Sequence, residues 1–241
     1  SQKGNQKGNQ KGNQKGNQKD NHKGKRKGAK MYAVYRSIEE LYEYLLRLPA
    51  RERYAYEVIH GKTQCRVYAD IEWEGERDHT HARMRHMKAE VRAYCMERHG
   101  RDPKLYVGCS TRLVDAQSQR WKNSYHLIVS DVAFENNHDG AMEKFWDDIR
   151  DRLCSLHGDE WHWNNKGKQT HIIDEAVYTR NRLMRLMLCS KRGSEPFARI
   201  NGDPLDEHDT LTSTYAEDDP EAWRPFFVSD AHACLADTLK A

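Results

Sequence analysis

The chain has 241 residues, of which 37% are hydrophobic and 32% charged, and its formal net charge is +3 at pH 7. No apolar run approaches the roughly 18 residues of a membrane span and no apolar secretory core begins the chain, so we expect neither a membrane-spanning nor a secreted protein. The six cysteines lie far apart without a CxxC pair, which argues against a zinc ribbon or disulfide scaffold and predicts reduced thiols inside a cell.

Residues 1–30 form a basic low-complexity tail built on the repeat KGNQ. The tail holds nine lysines and Arg26 against Asp20 alone, a formal charge of +9, whereas the remaining residues sum to −6. Because it has no apolar periodicity, we expect the tail to be disordered, and its charge does not distinguish a phosphate-binding polycation from a solubilising extension. Its KGKRKGAK stretch is typical of a nuclear address, so we expect a nuclear protein if the host is eukaryotic, with a mitochondrial or viral-factory location left open.

From Met31 onward the pattern predicts helices interleaved with strands. Ser37 and Glu40 form a capping box that starts the first helix, and Pro49 stops it. Helices are expected over 37–48, 81–100 and 140–156. Strands are expected over 54–59, 65–73, 104–110, 122–130, 171–174 and 182–189. This order predicts an α+β domain over 31–200 around a mixed or antiparallel sheet, followed by a polar extension over 201–241 with at most a short helix.

Two carboxylates lie two residues apart in the strand CRVYADIEWEG, residues 65–75. Asp70 and Glu72 must therefore share one face, with Ala69, Ile71 and Trp73 on the other. Like charges at this spacing repel unless a cation lies between them, and oxygen ligands suit Mg²⁺ or Mn²⁺. A solvated strand face is the alternative.

Two further segments carry polar groups in patterns suited to phosphate. Lys122, Ser124 and His126 share one face of the strand KNSYHLIV, where they form a row of hydrogen-bond donors. Asp174 ends the apolar run HIID and is followed by a dense set of basic and amide side chains, which includes Asn181, Arg182, Arg185 and Lys191. A third carboxylate would complete a metal site, although an ordinary salt-bridged surface strand has the same composition.

An acidic pair, then Ser-x-His, then an apolar run ending in Asp resembles the archaeo-eukaryotic primase superfamily. The closer resemblance is to its PrimPol primase-polymerases, through YEVIHGKTQCRVYADIEW at the first motif and VYTRNRLMRL with SKRG at the third. The resemblance covers about residues 31–200. It implies a two-lobed α/β core with an RRM-like module and an N-terminal α/β unit, whose cleft lies between mixed sheets.

The resemblance also implies a function and a role for each residue. A DNA-templated primase-polymerase adds nucleotides from dNTPs or NTPs to a 3′-OH, with single-stranded DNA template and primer as partners, together with a single-strand-binding protein or helicase. Such an enzyme acts in priming and in bypass of DNA lesions. Asp70, Glu72 and Asp174 would hold two Mg²⁺ or Mn²⁺ ions. The nucleotide would be bound by Lys122, Ser124, His126, Arg185 and Lys191, with Asn181 and Arg182 in the same segment.

One feature departs from the family pattern. Many PrimPols carry a C-terminal Cys/His zinc module, but residues 201–241 contain only His208, His232 and Cys234, so no zinc is expected in this chain. Either the chain is a catalytic core or it is a shorter member that primes in another way. Primer extension is therefore the firmer expectation, and primer initiation and the choice between dNTPs and NTPs stay open.

Rival functions rest on weaker patterns. His79, His81 and His86 loosely resemble the metal site of rolling-circle nucleases, with Tyr94 as nucleophile, although a solvated loop explains HTHARMRH as well. A catalytically idle module that binds single-stranded nucleic acid is the second alternative, in which Trp73, Trp121, Trp161 and Trp163 would stack on bases. A nuclease of the Asp…Glu-x-Lys type is excluded, because no lysine lies two residues after Glu72 or Glu74.

Overall fold

A computed structural model describes residues 32–191, 196–199 and 223–229 of the chain. The predicted tail and most of the predicted C-terminal extension therefore lie outside the described residues. The described α-helices are α1 (Ile38–Leu46), α2 (Ala82–His99) and α3 (Ala141–His157). The described strands are β1 (Tyr56–Ile59), β2 (Cys65–Gly75), β3 (Leu105–Cys109), β4 (Arg112–Asp115), β5 (Arg120–Phe134), β6 (His162–Asn165), β7 (Lys168–His171), β8 (Arg182–Arg185) and β9 (Ala198–Arg199).

The central sheet is antiparallel and has the strand order β2-β5-β3-β9, with β4 paired to the beginning of β5. The two longest strands, β2 and β5, pair from Cys65 opposite Phe134 to Gly75 opposite Trp121. Two small antiparallel sheets, β1–β8 and β6–β7, complete the described strands. Helices combined with antiparallel sheets establish the α+β class that the sequence predicts.

One face of β2 and β5 packs on the helices. Ala69, Ile71 and Trp73 are buried on that face, as their alternation with Asp70 and Glu72 predicts. The Trp73 ring stacks on Tyr125 of β5 at 5.4 Å between centroids, and the Tyr125 hydroxyl lies 2.9 Å from Nδ1 of His81 at the start of α2. The two long helices meet through aromatic side chains such as Tyr94 and Phe145, whose centroids are 5.1 Å apart. Because the helices cover this face, the acidic pair lies on the opposite one.

The helix ends follow the predicted capping signals. Ser37 Oγ accepts a hydrogen bond from the Glu40 backbone N–H at 3.2 Å, and the Glu40 carboxylate accepts one from Arg36 N–H at 2.8 Å. Gly100 ends α2 with a φ of 66°, a left-handed conformation that glycine adopts without steric cost. The boundaries of both helices therefore lie within two residues of their predicted positions.

Residues 223–229, which we call the C-terminal strap, fasten to β1 and β2. Arg66 is 3% exposed, and its Nη1 donates to two strap carbonyls at 2.9 Å. Its backbone N–H donates to the Val228 carbonyl at 2.8 Å. The buried Glu57 carboxylate accepts from the backbone N–H groups of Val228 at 2.9 Å and Ser229 at 2.6 Å. Burial raises the Glu57 pKa, and these hydrogen bonds oppose the rise. The strap thus satisfies two buried charged groups.

Several predictions of local structure need correction. The strand predicted over 182–189 is wrong beyond Arg185, because β8 ends there and Leu188 has a φ of 63°. The strand predicted over 171–174 is reduced to the end of β7 and a single bridge between Ile173 and Ile71. The polar strands β4, β6 and β7 were not predicted, because they lack apolar alternation.

The described cysteines are free thiols, as predicted: Cys65, Cys95, Cys109, Cys154 and Cys189. Among the helices that the structure describes, none is long and apolar enough to cross a membrane.

Candidate functional site

The predicted acidic pair faces the predicted Ser-x-His strand residue by residue. In the register of β2 and β5, Asp70 lies opposite His126 and Glu72 lies opposite Ser124. Directly opposed residues of antiparallel strands project to the same face, so these four side chains share one surface of the sheet. The site face thus combines two carboxylates with an imidazole and a hydroxyl.

Asp174 joins the same surface through a short backbone pairing with β2. Its N–H donates to the Asp70 carbonyl at 2.9 Å, and the Glu72 N–H donates to the Ile172 carbonyl at 2.8 Å. This antiparallel pairing, centred on the Ile71–Ile173 bridge, sets Asp174 beside Asp70. The Asp174 side chain accepts from Ala176 N–H at 2.9 Å and so caps the short helical turn that follows.

Asp70 is a largely buried carboxylate whose Oδ1 atom has an incomplete set of partners. Burial raises its pKa to about 7, and the neighbouring Glu72 and Asp174 charges add to the rise, whereas Lys191 and Arg185 oppose it. Nε2 of His126 lies 3.8 Å from its Oδ1. Among the described residues Oδ1 has no hydrogen-bond partner. A buried acceptor without a donor is costly unless a cation or proton satisfies it.

Glu72 is held by cations instead. Its Oε2 lies 2.6 Å from Nζ of Lys122, and its Oε1 lies 3.8 Å from Nζ of Lys191 and 3.4 Å from Oγ of Ser124. Burial alone would raise the Glu72 pKa, but the hydrogen bond and charge of Lys122, with help from Lys191, bring it below its usual value. Their surroundings therefore raise the pKa of Asp70 and lower that of Glu72, although the two carboxylates lie on the same strand.

His126 is a neutral imidazole in this setting. It is 6% exposed, and burial, followed by the charges of Arg185 and Lys191, lowers its pKa well below its usual value. Its ring packs on Phe197 at 4.1 Å between centroids. A neutral ring supplies one donor and one acceptor nitrogen, so His126 can hydrogen-bond a ligand oxygen without contributing charge.

A small, open pocket lies beside Glu72 of the acidic pair, and we call it the cationic pocket. Its lining residues are Glu72, Ser110, Arg112, Lys122, Ser124, Arg185 and Lys191. Four cations thus surround a single carboxylate. The sequence predicted Lys122, Ser124, Arg185 and Lys191 as nucleotide ligands, and the structure brings these four together. Arg112 and Ser110 were missed, although they follow directly on β3, where the Ser110 N–H donates to the Ser124 carbonyl at 2.9 Å.

Arg185 is positioned by a hydroxyl and an aromatic ring. It is 6% exposed, its Nη1 donates to Ser110 Oγ at 3.2 Å, and its guanidinium lies 4.6 Å from the centroid of Phe197. Phe197 in turn occupies the space above Gly108 of β3, where an added Cβ would lie 2.1 Å from the ring. The missing side chain of Gly108 therefore lets one ring support both Arg185 and His126.

Asn181 and Arg182 have local structural partners. Asn181 Oδ1 accepts from Gly61 N–H at 3.4 Å, and Arg182 Nη1 donates to the Ala176 carbonyl at 3.0 Å. Neither residue is among those that line the cationic pocket. In this conformation both support the chain that follows Asp174, and their predicted role in nucleotide binding stays a prediction.

The structure does not bring together the residues of the two rival sites, the histidine–tyrosine nuclease site and the set of base-stacking tryptophans. His81 is 3% exposed and contacts Tyr125, so the solvated loop predicted for this residue is wrong. Tyr94, the candidate nucleophile, donates to Asp148 at 2.8 Å, and burial raises its pKa to about 12. Among the proposed stacking residues, Trp73 and Trp161 are buried in the core. Trp121 and Trp163 are the two that keep partial exposure.

The oxygen ligands of Asp70, Glu72 and Asp174 are of the type that binds a divalent cation, but in this conformation the three side chains do not converge on one point. Carboxylate oxygens are the ligands that Mg²⁺ and Mn²⁺ prefer, and Oδ1 of Asp70 is unpartnered among the described residues. Within the same residues, however, no three His, Cys, Asp or Glu side chains are grouped to hold a metal ion. Glu72 is turned to Lys122 and Asp174 to Ala176.

Neither the family models nor the curated proteins searched contain a match to this chain.

Proposed function

We propose that this chain is a DNA-templated nucleotidyltransferase of the primase-polymerase type, with the two-lobed core that its motifs imply. The observation that carries the proposal is the register of β2 and β5, which sets Asp70 opposite His126 and Glu72 opposite Ser124. Asp174 beside Asp70 and the cationic pocket beside Glu72 support it. Carboxylates next to a cation-lined pocket suit transfer of a phosphoryl group from a polyphosphate.

The acidic side of the site would bind two divalent ions. When bound by Asp70, Glu72 and Asp174, Mg²⁺ or Mn²⁺ supplies charge neutralisation at the attacking 3′-oxygen and at the triphosphate. The raised pKa of Asp70 and its unpartnered Oδ1 give this carboxylate a physical reason to bind a cation.

The basic side of the site would bind the triphosphate. Lys122, Arg185 and Lys191 supply the charge, and Ser124 and neutral His126 supply hydrogen bonds. Arg185 is already oriented by Ser110 and Phe197, so little side-chain entropy is lost when it binds phosphate. The chain's own contribution to catalysis is thus positioning and charge stabilisation.

A template–primer extension assay tests the proposal. Purified full chain is incubated with a primed DNA template, Mg²⁺ or Mn²⁺, and dNTPs or NTPs in separate arms, with an unprimed arm for initiation. We expect extension by the parent and at least about a 100-fold loss in Asp70→Asn and Asp174→Asn. Asp102→Asn is the matched control, because that carboxylate is 70% exposed and lies outside the site.

The outcomes separate the proposal from its main rival. Absence of incorporation by the parent in every arm would refute the polymerase. If the parent then still bound the single-stranded template, the catalytically idle binding module would replace it. Incorporation that survives in Asp70→Asn would show that the acidic pair is not the catalytic centre.

A further inference from the structure

The hairpin formed by β4 and β5, residues 112–122, is continuous with the cationic pocket. Arg112 of β4 lies opposite Lys122 of β5, and both line the pocket. Farther along β5 the same face carries Ser124 and His126. A ligand that extends out of the pocket along this face therefore passes onto the hairpin.

The hairpin carries an excess of positive charge. Its basic residues are Arg112, Arg120 and Lys122, and its single acidic residue is Asp115. The Asp115 carboxylate is used within the turn, where it accepts from Gln117 N–H at 3.0 Å and from Ser118 Oγ at 2.7 Å. The Arg112 side chain is exposed and has no ion-pair or hydrogen-bond partner among the described residues, although its backbone pairs with Lys122. Charge on this face is thus available to an anion.

The spacing of the cations suits a chain of phosphates. Arg120 and Lys122 lie two residues apart on β5, which corresponds to about 6.6 Å along one face of the strand. Arg120 is 53% exposed and its contact with Glu74, at 3.6 Å, is an open surface pair of the kind that exchanges readily with another anion. A row of cations at this interval matches a repeating polyanion better than a protein surface of mixed charge.

An exposed apolar side chain lies on the other side of the same hairpin. Leu113, which follows Arg112 on the strand, is 42% exposed, although most large apolar side chains of the described residues are buried. Leu113 lies opposite the partly exposed Trp121, over whose ring Arg77 lies at 4.7 Å. The outer edge of β4 has no strand partner in the described part of the chain. A flexible strand that wraps this edge meets cations on one side and an aromatic-apolar surface on the other.

We propose that the β4–β5 hairpin binds single-stranded nucleic acid, with Arg112 and Arg120 on its phosphates and Leu113 and Trp121 against its bases. Stacking on apolar and aromatic side chains, combined with a cationic track, is how proteins hold single strands without reading their sequence. The inference rests on the proposed function for one point, that the bound strand is the one copied in the adjacent site.

Binding of a labelled single-stranded DNA oligonucleotide to the full chain tests this inference without catalysis. Fluorescence anisotropy is measured with chelator and without nucleotide over a series of salt concentrations. Each phosphate contact on a single strand contributes about 0.7 to the slope of log affinity against log salt. We therefore expect the double variant Arg112→Gln/Arg120→Gln to lower the slope by about 1.4, and Leu113→Asp to weaken binding about fivefold or more.

Matched controls lie at the end of α2. Arg98→Gln removes an exposed cation and Met96→Asp replaces an apolar side chain that is 51% exposed, and both should bind as the parent does. The basic tail contributes equally to every variant. Parental affinity and slope in the double variant would overturn the inference and leave the hairpin as a surface for a protein partner.

The binding measurements on the hairpin variants are interpreted independently of the primer-extension assay. Loss of binding in the hairpin variants of a chain that does not extend primers would support the hairpin as a single-strand site and reject the polymerase. Primer extension by the parent, together with parental binding in the hairpin variants, would support the polymerase and reject the hairpin as a single-strand site.

Discussion

Replacing Asp70 by asparagine should stabilise the fold, and the gain should grow with pH. Burial raises the Asp70 pKa from its usual 3.8 to about 7, so the folded chain holds this proton more tightly than the unfolded chain does. The ionised carboxylate therefore costs stability from about pH 4 upward, and the full cost is reached above pH 7. About three pKa units at 1.36 kcal/mol each set a ceiling of about 4 kcal/mol, since the side chain is only 16% exposed.

Urea unfolding with chelator present, at pH 5 and pH 8, measures this effect. We expect Asp70→Asn to exceed the parent by about 2 to 4 kcal/mol at pH 8 and by clearly less at pH 5. Asp102→Asn, the exposed control, should change stability by less than about 0.5 kcal/mol at both pH values. A gain that does not depend on pH, or an Asp70→Asn variant less stable than the parent at pH 8, would refute the argument from burial.

Three other perturbations probe the remaining parts of the structure. Saturating Mn²⁺ should raise the melting temperature of the parent but not of Asp70→Asn. At a Mn²⁺ concentration 100 times the dissociation constant, the free energy of unfolding should rise by about 2.7 kcal/mol, and equal shifts in both proteins would place the ion elsewhere. Gly108→Ala should lose about 1 to 3 kcal/mol in urea unfolding because its Cβ would overlap Phe197, whereas Gly75→Ala, with open space around it, should not. Glu57→Gln presents an amide to the N–H donors of the C-terminal strap and should lose about 1 to 3 kcal/mol; unchanged unfolding would show that the strap is not held there.

Local periodicity predicted much of the fold because most elements have a strong pattern of their own. The alternation in CRVYADIEWEG separates Asp70 and Glu72 from Ile71 and Trp73, and the structure confirms this division. The same parity excludes Trp73 as a base-stacking residue, since it shares the core face with Ile71.

The site also depends on contacts between residues that are distant in the sequence, and no local sequence pattern predicts these contacts. A helix and two strands separate β2 from β5 along the chain, so the pairing of Asp70 with His126 depends on the sheet topology. Arg112 enters the cationic pocket only because β4 folds back on β5, and RLVD has no alternation to predict that strand. Phe197 reaches Arg185 and His126 over Gly108, a contact set by tertiary packing between distant segments.

The contact between Lys122 and Glu72 links the acidic and basic sides of the site. At 2.6 Å this lysine is the principal group that keeps the Glu72 pKa low against its burial. If a polyphosphate in the cationic pocket draws Lys122 away, the partly buried Glu72 loses its shortest cationic contact beside Asp70, which already has a raised pKa. Two neighbouring carboxylates with less positive charge between them are unfavourable, so the affinity of the acidic side for another cation should rise. By linkage the cation must strengthen polyphosphate binding equally, because it releases Lys122 from Glu72. Polyphosphate and divalent cation should therefore bind this chain cooperatively, and the coupling should vanish when Lys122 is replaced by methionine.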